Sequence, residues 1–478
     1  MLCPPRQLIG WNRWTQPQAD DSLAWRPGGQ SCLLNETIHW PLRLQADPSR
    51  VVVRPFHIPI EARSFGMGPS RVRRIADSVL ALDDDAAAAE LDHVLKDFEA
   101  RHWQTRGVFM TRYLQIREVL GLDESFISET KRQLIGAYFC HEYSYAAAAL
   151  MNPSIIAHPD QSGLSEGSTR IVMSLRAVGE GHISSVSFRE GILSPGVHFE
   201  LAPEPPFATA ADSATELMDG AIEVHRHHDS TLSGTVLFPI TAAQRNGLED
   251  LRLVQFTHDD GSVEWLGTYT AYSGTTIRSE LLRTRDFRSF VLAPLGGPAA
   301  RNKGMALFPR TVNGEYMMIG RQDGENLFLL RSDSIDRWGE GELLLTPKYP
   351  WEQVQIGNCG SPIELDEGWL LLTHGVGAMR KYSIGAILLD KDNPARVIGR
   401  LAEPLLSAAD EDREGYVPNV VYTCGAIRHG DLLFMPYGVA DSSVGFAFVP
   451  IDALLAAMHS PDEPAHHRRR RPRRVRPA

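Results

Sequence analysis

Two adjacent carboxylates near the middle of the chain are the residues best suited to acid–base chemistry. Glu249 and Asp250 stand just before Arg252, in the run NGLEDLRL that leads into a strand-like segment. A carboxyl group can deliver or accept the proton that a bond-breaking reaction needs, and a neighbouring arginine can pair with it. By itself such a pair is typical of a solvated turn, so its interpretation depends on the rest of the chain.

Two other polar clusters look like ligand sites but match no established one. The run His225–Asp229 contains three histidines and an aspartate, yet its spacing fits no known metal site, and a surface loop is the favoured interpretation. The glycines from Gly357 to Gly360 lack the Lys-Ser/Thr pair and the strand-to-helix context of a nucleotide loop. The sequence therefore predicts neither a metal nor an organic cofactor.

The elements that must position these residues change character along the chain. Residues 1–68 are rich in proline, show little periodicity and are predicted to form an irregular N-terminal segment. Residues 69–150 space their apolar residues three and four apart, as in Asp85–Phe98, and the segment Lys131–Leu150 ends in a run of alanines. A helical extension is expected over this range.

Residues 151–460 have the pattern of a β domain. Short β-rich runs, such as Leu251–Thr257 and Val263–Tyr272, alternate with Gly, Asp, Asn and Pro at intervals of roughly ten to fifteen residues. Many antiparallel strands joined by such turns indicate a barrel, a sandwich or a propeller. A length of about 300 residues is too great for one sandwich and favours a propeller of four or five blades.

Composition and charge exclude several classes of protein. The 478 residues are 43% hydrophobic and 22% charged, and no apolar run reaches the length of a membrane span. The start lacks a signal-peptide core and the five cysteines are widely spaced, so a cytoplasmic protein with reduced thiols is expected. The net charge of −11 argues against a nucleic-acid partner, and the arginine-rich residues 461–478 are interpreted as a disordered basic tail.

Seven motifs in the order of a known family give the carboxylate pair its context. They are Gly247–Arg252, Tyr269–Tyr272, Asn302–Pro309, Gly360–Trp369, Thr373–Val376, Tyr382–Asp390 and Tyr437–Asp441. Over residues 152–458 the chain resembles glycoside hydrolase family 130, the β-mannoside phosphorylases and related β-mannosidases. The resemblance implies an all-β fold, a five-bladed β-propeller with the site at its central channel, to which residues 69–150 add an N-terminal helical extension.

The resemblance also implies roles for single residues. Asp250 matches the family's general acid, which works through the sugar's own 3-hydroxyl while inorganic phosphate attacks the anomeric carbon with inversion. Leu251 replaces the family's proline, which alters local stiffness but removes no reacting group. The implied phosphate-binding set is Arg301, Asn302, Arg321 and His374. The implied substrate contacts are Asn152, Ser154, Arg176, Glu249, Arg252, Tyr272, Lys303, Tyr382 and Asp441.

One departure from the family concerns the nucleophile. Breaking a glycosidic bond needs a proton for the leaving oxygen and a nucleophile on the opposite face, and a phosphate dianion in that role needs cations around it. Gln355 stands where phosphorolytic members usually carry lysine. A hydrolase that activates water with Glu364 or Asp441 therefore stays open.

The predicted function is that of an inverting β-mannoside phosphorylase, which uses a short β-mannoside and inorganic phosphate and releases α-mannose 1-phosphate. The alternatives are a β-mannosidase that uses water and, in another class, a non-catalytic sugar-binding propeller. A homo-oligomer is compatible with the sequence, since residues 69–150 of a neighbouring subunit could close the channel. The glycosidic linkage and the acceptor sugar depend on loop shapes that the sequence does not give.

Overall fold

The computed structural model describes residues 36–56, 69–211 and 213–460, and over these residues the chain is mostly β-sheet with few helices. The basic tail predicted over 461–478 and most of the segment predicted to be irregular over 1–68 lie outside the described residues. The described part of that segment corrects the prediction, because it contains strands β1 (Ile38–Gln45) and β2 (Val51–Pro55).

Helices follow directly after residue 70. They are α1 (Arg71–Leu80), α2 (Asp84–Phe98), α3 (Thr105–Leu120) and α4 (Glu129–Tyr138). The side chains of Ser70 and Asp83 accept hydrogen bonds from the first turns of α1 and α2 and so fix where these helices begin. The apolar faces of the helices meet around Tyr113 and Leu134, which are completely buried. Among the described residues, no helix is both long and apolar enough to cross a membrane.

The helical region is shorter than the sequence predicts. After Tyr138 the chain continues as strands β3 (Cys140–Ser144) and β4 (Ala149–Ala157), and residues 145–148 form the turn between them. Strand β3 pairs antiparallel with β2, and β4 is buried along nearly its whole length. Sheet pairing and burial therefore outweigh the helix propensity of the alanine run, because propensity is a weak determinant beside tertiary contacts.

The first large sheet begins with β4. Its other strands are β5 (Thr169–Val178), β6 (Ser184–Ser194), β7 (His198–Leu201), β8 (Thr209–Ala211), β9 (Ser213–Glu216), β10 (Ile222–His225), β11 (Thr235–Leu237), β12 (Gly247–Thr257), β13 (Val263–Tyr272), β14 (Ile277–Thr284) and β15 (Ser289–Pro294). They follow the order β4-β5-β6-β12-β13-β14-β15-β10-β9, with β7 and β11 beside β6 and β8 beside β11. Strands β6 and β12 meet in parallel at Ser184 and Gly247, where two largely antiparallel halves join.

Three further sheets follow along the chain. The next contains β16 (Ala306–Leu307), β17 (Tyr316–Gly320), β18 (Leu327–Ser332) and β19 (Glu342–Leu345), in that order. After it come β20 (Gln355–Asn358), β21 (Ile363–Glu364), β22 (Trp369–Val376), β23 (Tyr382–Leu389), β24 (Val397–Arg400) and β25 (Leu406–Ser407), centred on the pair β22 and β23. The last sheet holds β26 (Val421–Tyr422), β27 (Ile427–His429), β28 (Leu432–Val439) and β29 (Ser443–Pro450), with β1 paired to β29, and helix α5 (Ile451–Ala456) follows.

Buried apolar clusters connect each sheet to the next. One cluster joins β28 and β29 to β4 and β5, and a second joins the two halves of the first large sheet. A third links β12 to β14 with β16 to β18, a fourth links β17 and β18 with β22 and β23, and a fifth links β22 and β23 with β28. The fifth cluster includes β28, which also belongs to the first cluster, so the succession of clusters closes on itself. Each fully buried Leu, Ile or Phe contributes roughly 1.5–3 kcal/mol of stability.

Candidate active site

Three polar residues share a backbone conformation that is uncommon outside glycine. Asn152, Asp250 and Asp441 have φ angles of 49°, 55° and 49°, in the left-handed region. The pairing registers of β4 and β12 shift around Asn152 and Asp250, so both residues lie at irregularities of their strands, and Asp441 lies in the turn between β28 and β29. Bulges redirect side chains, and strained backbone of this kind clusters at functional sites.

The Asp250 carboxylate is held by two donors. Asn152 donates from Nδ2 to Oδ1 at 2.7 Å, and Arg176 donates from Nη1 to the same oxygen at 3.2 Å. Arg176 also donates from Nη2 to Oε1 of Glu249 at 2.6 Å and from Nε to Oγ of Ser184 at 2.9 Å. The side chains of Glu249 and Asp250 are only 12% and 13% exposed. One arginine therefore joins both members of the carboxylate pair in a nearly enclosed place.

The charge state of Asp250 is set by the cations around it. Burial acts to raise the pKa of Asp250, but the positive charges of Arg176, Arg252 and Lys303 and the hydrogen bond from Asn152 hold that pKa below its ordinary value. Asp250 is therefore ionised when no ligand is bound. Lys303 belongs to this group through its charge, which acts on the carboxylates from the loop before β16.

The other two carboxyl groups shift in the opposite direction. Burial, followed by the negative charge of Asp250, raises the pKa of Asp441 to about 6, although Arg176 and Arg380 act against the rise. Burial also raises the pKa of Glu249. A cluster that combines an ionised carboxylate with carboxyl groups that protonate easily has the elements needed for acid–base chemistry.

Arg252 organises the backbone around the acid. It is 3% exposed, and it donates from Nε to the carbonyl oxygen of Cys359 at 2.8 Å, from Nη1 to that of Asp250 at 3.1 Å and from Nη2 to the hydroxyl of Tyr422 at 2.7 Å. All three nitrogens are thus engaged by the protein itself. Arg252 therefore positions the backbone around Asp250, and its predicted substrate contact stays a prediction.

Ser154 and the two predicted tyrosines also have defined partners. Ser154 is completely buried, and its Oγ accepts from the backbone N–H of Leu253 at 3.0 Å, so it fixes β4 against β12. Tyr272 donates its hydroxyl to a backbone carbonyl two residues further on. Tyr382 stacks on His374, with ring centroids 6.0 Å apart. Only Tyr382 of these three thus contacts another residue of the predicted site.

A second polar group surrounds Arg321. Its Nη1 donates to Nε2 of His374 at 3.1 Å, and Nδ1 of His374 lies 3.2 Å from the carbonyl oxygen of Asn358. Because a guanidinium cannot accept a hydrogen bond, Nε2 must be the acceptor and Nδ1 carries the proton. Burial and then the charge of Arg321 hold the pKa of His374 well below its ordinary value, so the ring is neutral. His374 therefore orients Arg321 and adds no second positive charge.

Gln355 shares this acceptor role. Its amide satisfies both neighbours when Oε1 accepts from Nη1 of Arg321 and Nε2 donates to the carbonyl of Gly324 at 3.2 Å. Arg321 Nε and both amide atoms of the fully buried Asn358 have no hydrogen-bond partner in the described structure. Buried polar atoms of this kind normally gain a partner from water or a ligand. Asn358 was not among the predicted site residues, and its place in the glycine-rich block is the one sequence feature that points to it.

The loop that carries Arg301 and Asn302 approaches Arg321. Asn302 donates from Nδ2 to the carbonyl oxygen of Arg321 at 2.9 Å, and its own carbonyl accepts from Ser279. Its amide therefore ties the loop to the Arg321 backbone. Arg301 is exposed, and its side chain forms neither a hydrogen bond nor an ion pair with another residue that the structure describes. Of the predicted phosphate-binding set, Asn302, Arg321 and His374 lie together and Arg301 stands at the surface.

Two other candidates from the sequence have different surroundings. Glu364 is bound by both arms of Arg310, at 2.9 Å and 2.7 Å, so this carboxylate is committed to a salt bridge. The ligand atoms of His227–Asp229 lie within 4.8 Å of one another, on a partly exposed loop after β10. Neither group shares a hydrogen bond with Asp250 or Arg321.

The chain is similar to several curated phosphorylases. A 1,2-β-oligomannan phosphorylase from Thermoanaerobacter sp. (strain X514) is 36% identical over 150 residues, which cover 31% of this chain and 50% of that protein. A β-1,2-mannobiose phosphorylase from Listeria innocua is 30% identical over 241 residues, which cover 48% of this chain and 65% of that protein. The chain thus spans between 50% and 65% of the length of these two relatives.

Solved structures and a family model complete the comparison. The complex of Listeria innocua β-1,2-mannobiose phosphorylase with β-1,2-mannobiose aligns with a TM-score of 0.48 at 22% identity, over 65% of this chain and 92% of that one. The family model described as beta-1,4-mannooligosaccharide phosphorylase matches residues 213–460, which is more than half of the 478 residues. The chain therefore belongs to glycoside hydrolase family 130.

Proposed function

We propose that this chain is an inverting β-mannoside phosphorylase that cleaves short β-mannosides with inorganic phosphate and releases α-mannose 1-phosphate. The relatives named as mannoside phosphorylases support this proposal. The observation that carries it is the pairing of one ionised acid, Asp250, with a separately oriented cation, Arg321. No metal or organic cofactor takes part in the proposed reaction, because the nucleophile, inorganic phosphate, already carries negative charge.

The proposed fold is a five-bladed β-propeller with its site at the centre. Five apolar clusters that join successive sheets in a returning series support it. The pairing of β1 with β29 supports it as well, since it joins an early strand to the last sheet, and the blades of a propeller are repeated around a central channel. The two halves of the first large sheet then count as two blades.

Asp250 moves the proton in the proposed mechanism. The sugar's 3-hydroxyl relays this proton to the leaving oxygen, so the carboxyl must be protonated when substrate and phosphate are bound. In the free site, cations such as Arg176 and Lys303 keep Asp250 ionised. A phosphate dianion placed among these cations offsets their charge and raises the pKa of Asp250, which then suits a general acid. Phosphate binding and acid function are thus coupled through charge.

Arg321 is the principal phosphate ligand in this proposal. Its Nη1 is held by His374 and Gln355, which leaves the Nε–H without a partner and ready for an anionic oxygen. Lys303 and the exposed Arg301 add positive charge on the loop that Asn302 ties to Arg321. Phosphate bound there attacks the anomeric carbon on the face opposite the leaving group, which inverts the configuration.

A β-mannosidase is the second candidate, and a specific observation favours it. Gln355 is neutral where the family resemblance leads one to expect lysine, so the anion site holds one cation fewer. Asp441, with its pKa raised to about 6, is a carboxylate suited to accept a proton from water. Glu364 is withdrawn from that role by Arg310.

The test is incubation with β-1,2- and β-1,4-mannobiose, with and without phosphate. The phosphorylase proposal expects α-mannose 1-phosphate that forms only when phosphate is present. Free mannose at equal rates in both conditions would establish the hydrolase. Asp250→Asn should reduce turnover by at least about a thousandfold while the variant still binds sugar, as expected for loss of an essential acid. No turnover of either disaccharide by the unmodified protein would favour a sugar-binding propeller.

A further inference from the structure

His182 and Tyr416 are two aromatic side chains in contact with each other, and the proposed mechanism does not use them. Both belong to segments that are joined to the group formed by Asp250, Arg176 and Asp441. The hydroxyl of Tyr416 and Nδ1 of His182 are 3.2 Å apart, and the two rings have centroids 5.9 Å apart at an interplanar angle of 36°. Tyr416 is 52% exposed, whereas the Asp250 side chain is 13% exposed. The pair thus presents ring surface to solvent.

His182 is connected closely to the carboxylate pair. It stands at the tip of the hairpin between β5 and β6, with a φ of 58°. Strand β6 begins two residues later at Ser184, whose Oγ accepts from Nε of Arg176 at 2.9 Å. Arg176 in turn binds both Glu249 and Asp250. His182 at the hairpin tip therefore lies two residues along the chain from a hydrogen-bond partner of Arg176.

The segment of Tyr416 is hydrogen-bonded to the turn that contains Asp441. Its backbone N–H donates to Oγ of Ser442 at 2.6 Å, and the N–H of Val417 donates to the carbonyl of Ala440 at 2.9 Å. These two contacts flank Asp441, whose pKa responds to both Asp250 and Arg176. The two aromatic residues thus come from separate segments, and each segment is attached to a residue of the Asp250 site, either Arg176 or Asp441.

We propose that His182 and Tyr416 form the binding surface for the acceptor sugar, the ring that leaves when the glycosidic bond breaks. This inference rests on the proposed phosphorylase function. The buried carboxylates and Arg176 hold the mannosyl ring, so the second ring of a disaccharide projects toward solvent, where the aromatic pair lies. Aromatic faces pack against the C–H faces of a pyranose, and the phenol and imidazole can exchange hydrogen bonds with its hydroxyl groups.

The reverse reaction allows binding at the acceptor site and at the mannosyl site to be measured as two different KM values. In it a hydroxyl of free mannose attacks C1 of α-mannose 1-phosphate, the bond from C1 to the phosphate oxygen breaks, phosphate leaves with the electron pair, and the hydroxyl proton passes through the 3-hydroxyl of the mannosyl ring to the Asp250 carboxylate. Tyr416→Ala should raise KM for mannose by about tenfold and leave KM for α-mannose 1-phosphate within about twofold. His182→Ala should act in the same direction, and Tyr416→Phe, which keeps the ring, should change KM for mannose less than Tyr416→Ala does.

Phe126→Ala is the matched control, because Phe126 is an aromatic residue with 90% exposure in the helical region; its kinetics should equal those of the unmodified protein. An unchanged KM for mannose in Tyr416→Ala would overturn the inference. An equal rise in KM for mannose and in KM for α-mannose 1-phosphate would also overturn it, because it would mean that His182 and Tyr416 only support the positions of Asp441 and Arg176. If the unmodified protein forms no disaccharide from α-mannose 1-phosphate with either mannose or glucose as the acceptor, the proposed function itself fails, a result separate from any change in Tyr416→Ala.

Discussion

Asp441→Asn should stabilise the protein at alkaline pH. Burial and the charge of Asp250 raise the pKa of Asp441 from 3.8 to about 6. A carboxyl whose pKa is higher in the folded state adds a stability that is fully present below the unfolded pKa and is lost as the pH rises through the folded value. The shift of about two units corresponds to about 3 kcal/mol lost by pH 8. Asparagine has nearly the same shape, carries no charge and tolerates the φ of 49° at this position.

The assay is urea unfolding of both proteins at pH 4 and pH 8. The free energy of unfolding of Asp441→Asn minus that of the unmodified protein should be larger at pH 8 than at pH 4 by about 2.4 kcal/mol, because the unfolded state already ionises in part at pH 4. Asp366→Asn is the matched control for the substitution itself, since Asp366 is an exposed aspartate in the turn before β22. An equal effect of Asp441→Asn at both pH values, or a loss of stability confined to pH 8, would refute the reasoning about burial and the Asp250 charge.

Two further substitutions probe the geometry around the proposed site. In Gly357→Ala the new Cβ would lie 2.3 Å from Cε1 of His374, so the histidine ring must move away from Arg321. Initial-rate measurements should then show a KM for phosphate that is higher by about tenfold. An unchanged KM for phosphate would contradict the positioning role of His374. Ser154→Ala removes the acceptor of the Leu253 N–H, and urea unfolding should show a loss of about 1–3 kcal/mol. A shift in the mannoside KM without that loss would instead place Ser154 at the ligand.

Local sequence was sufficient where one short-range pattern governed the structure. Alternation and flanking turns predict a strand over Val263–Tyr272, and β13 has those bounds. The spacing in Asp85–Phe98 predicts a helix, and α2 extends it by one residue. The pattern was misleading where tertiary contacts compete, as in the alanine run before Leu150. Nor does local sequence indicate the left-handed conformation of His182, which together with Gly181 forms the hairpin tip between β5 and β6.

The sequence by itself determined the family, the acid candidate and the presence of a β domain, because motifs and alternation are properties of neighbouring residues. Only the tertiary structure decided how the candidates are used. It brings Arg176 to Asp250 across 74 positions and His374 to Arg321 across 53, and it fixes the neutral tautomer of His374 through a carbonyl 16 residues away. These facts depend on strand register, bulges and burial, which arise from the packing of distant segments and leave no signature in any short stretch of sequence.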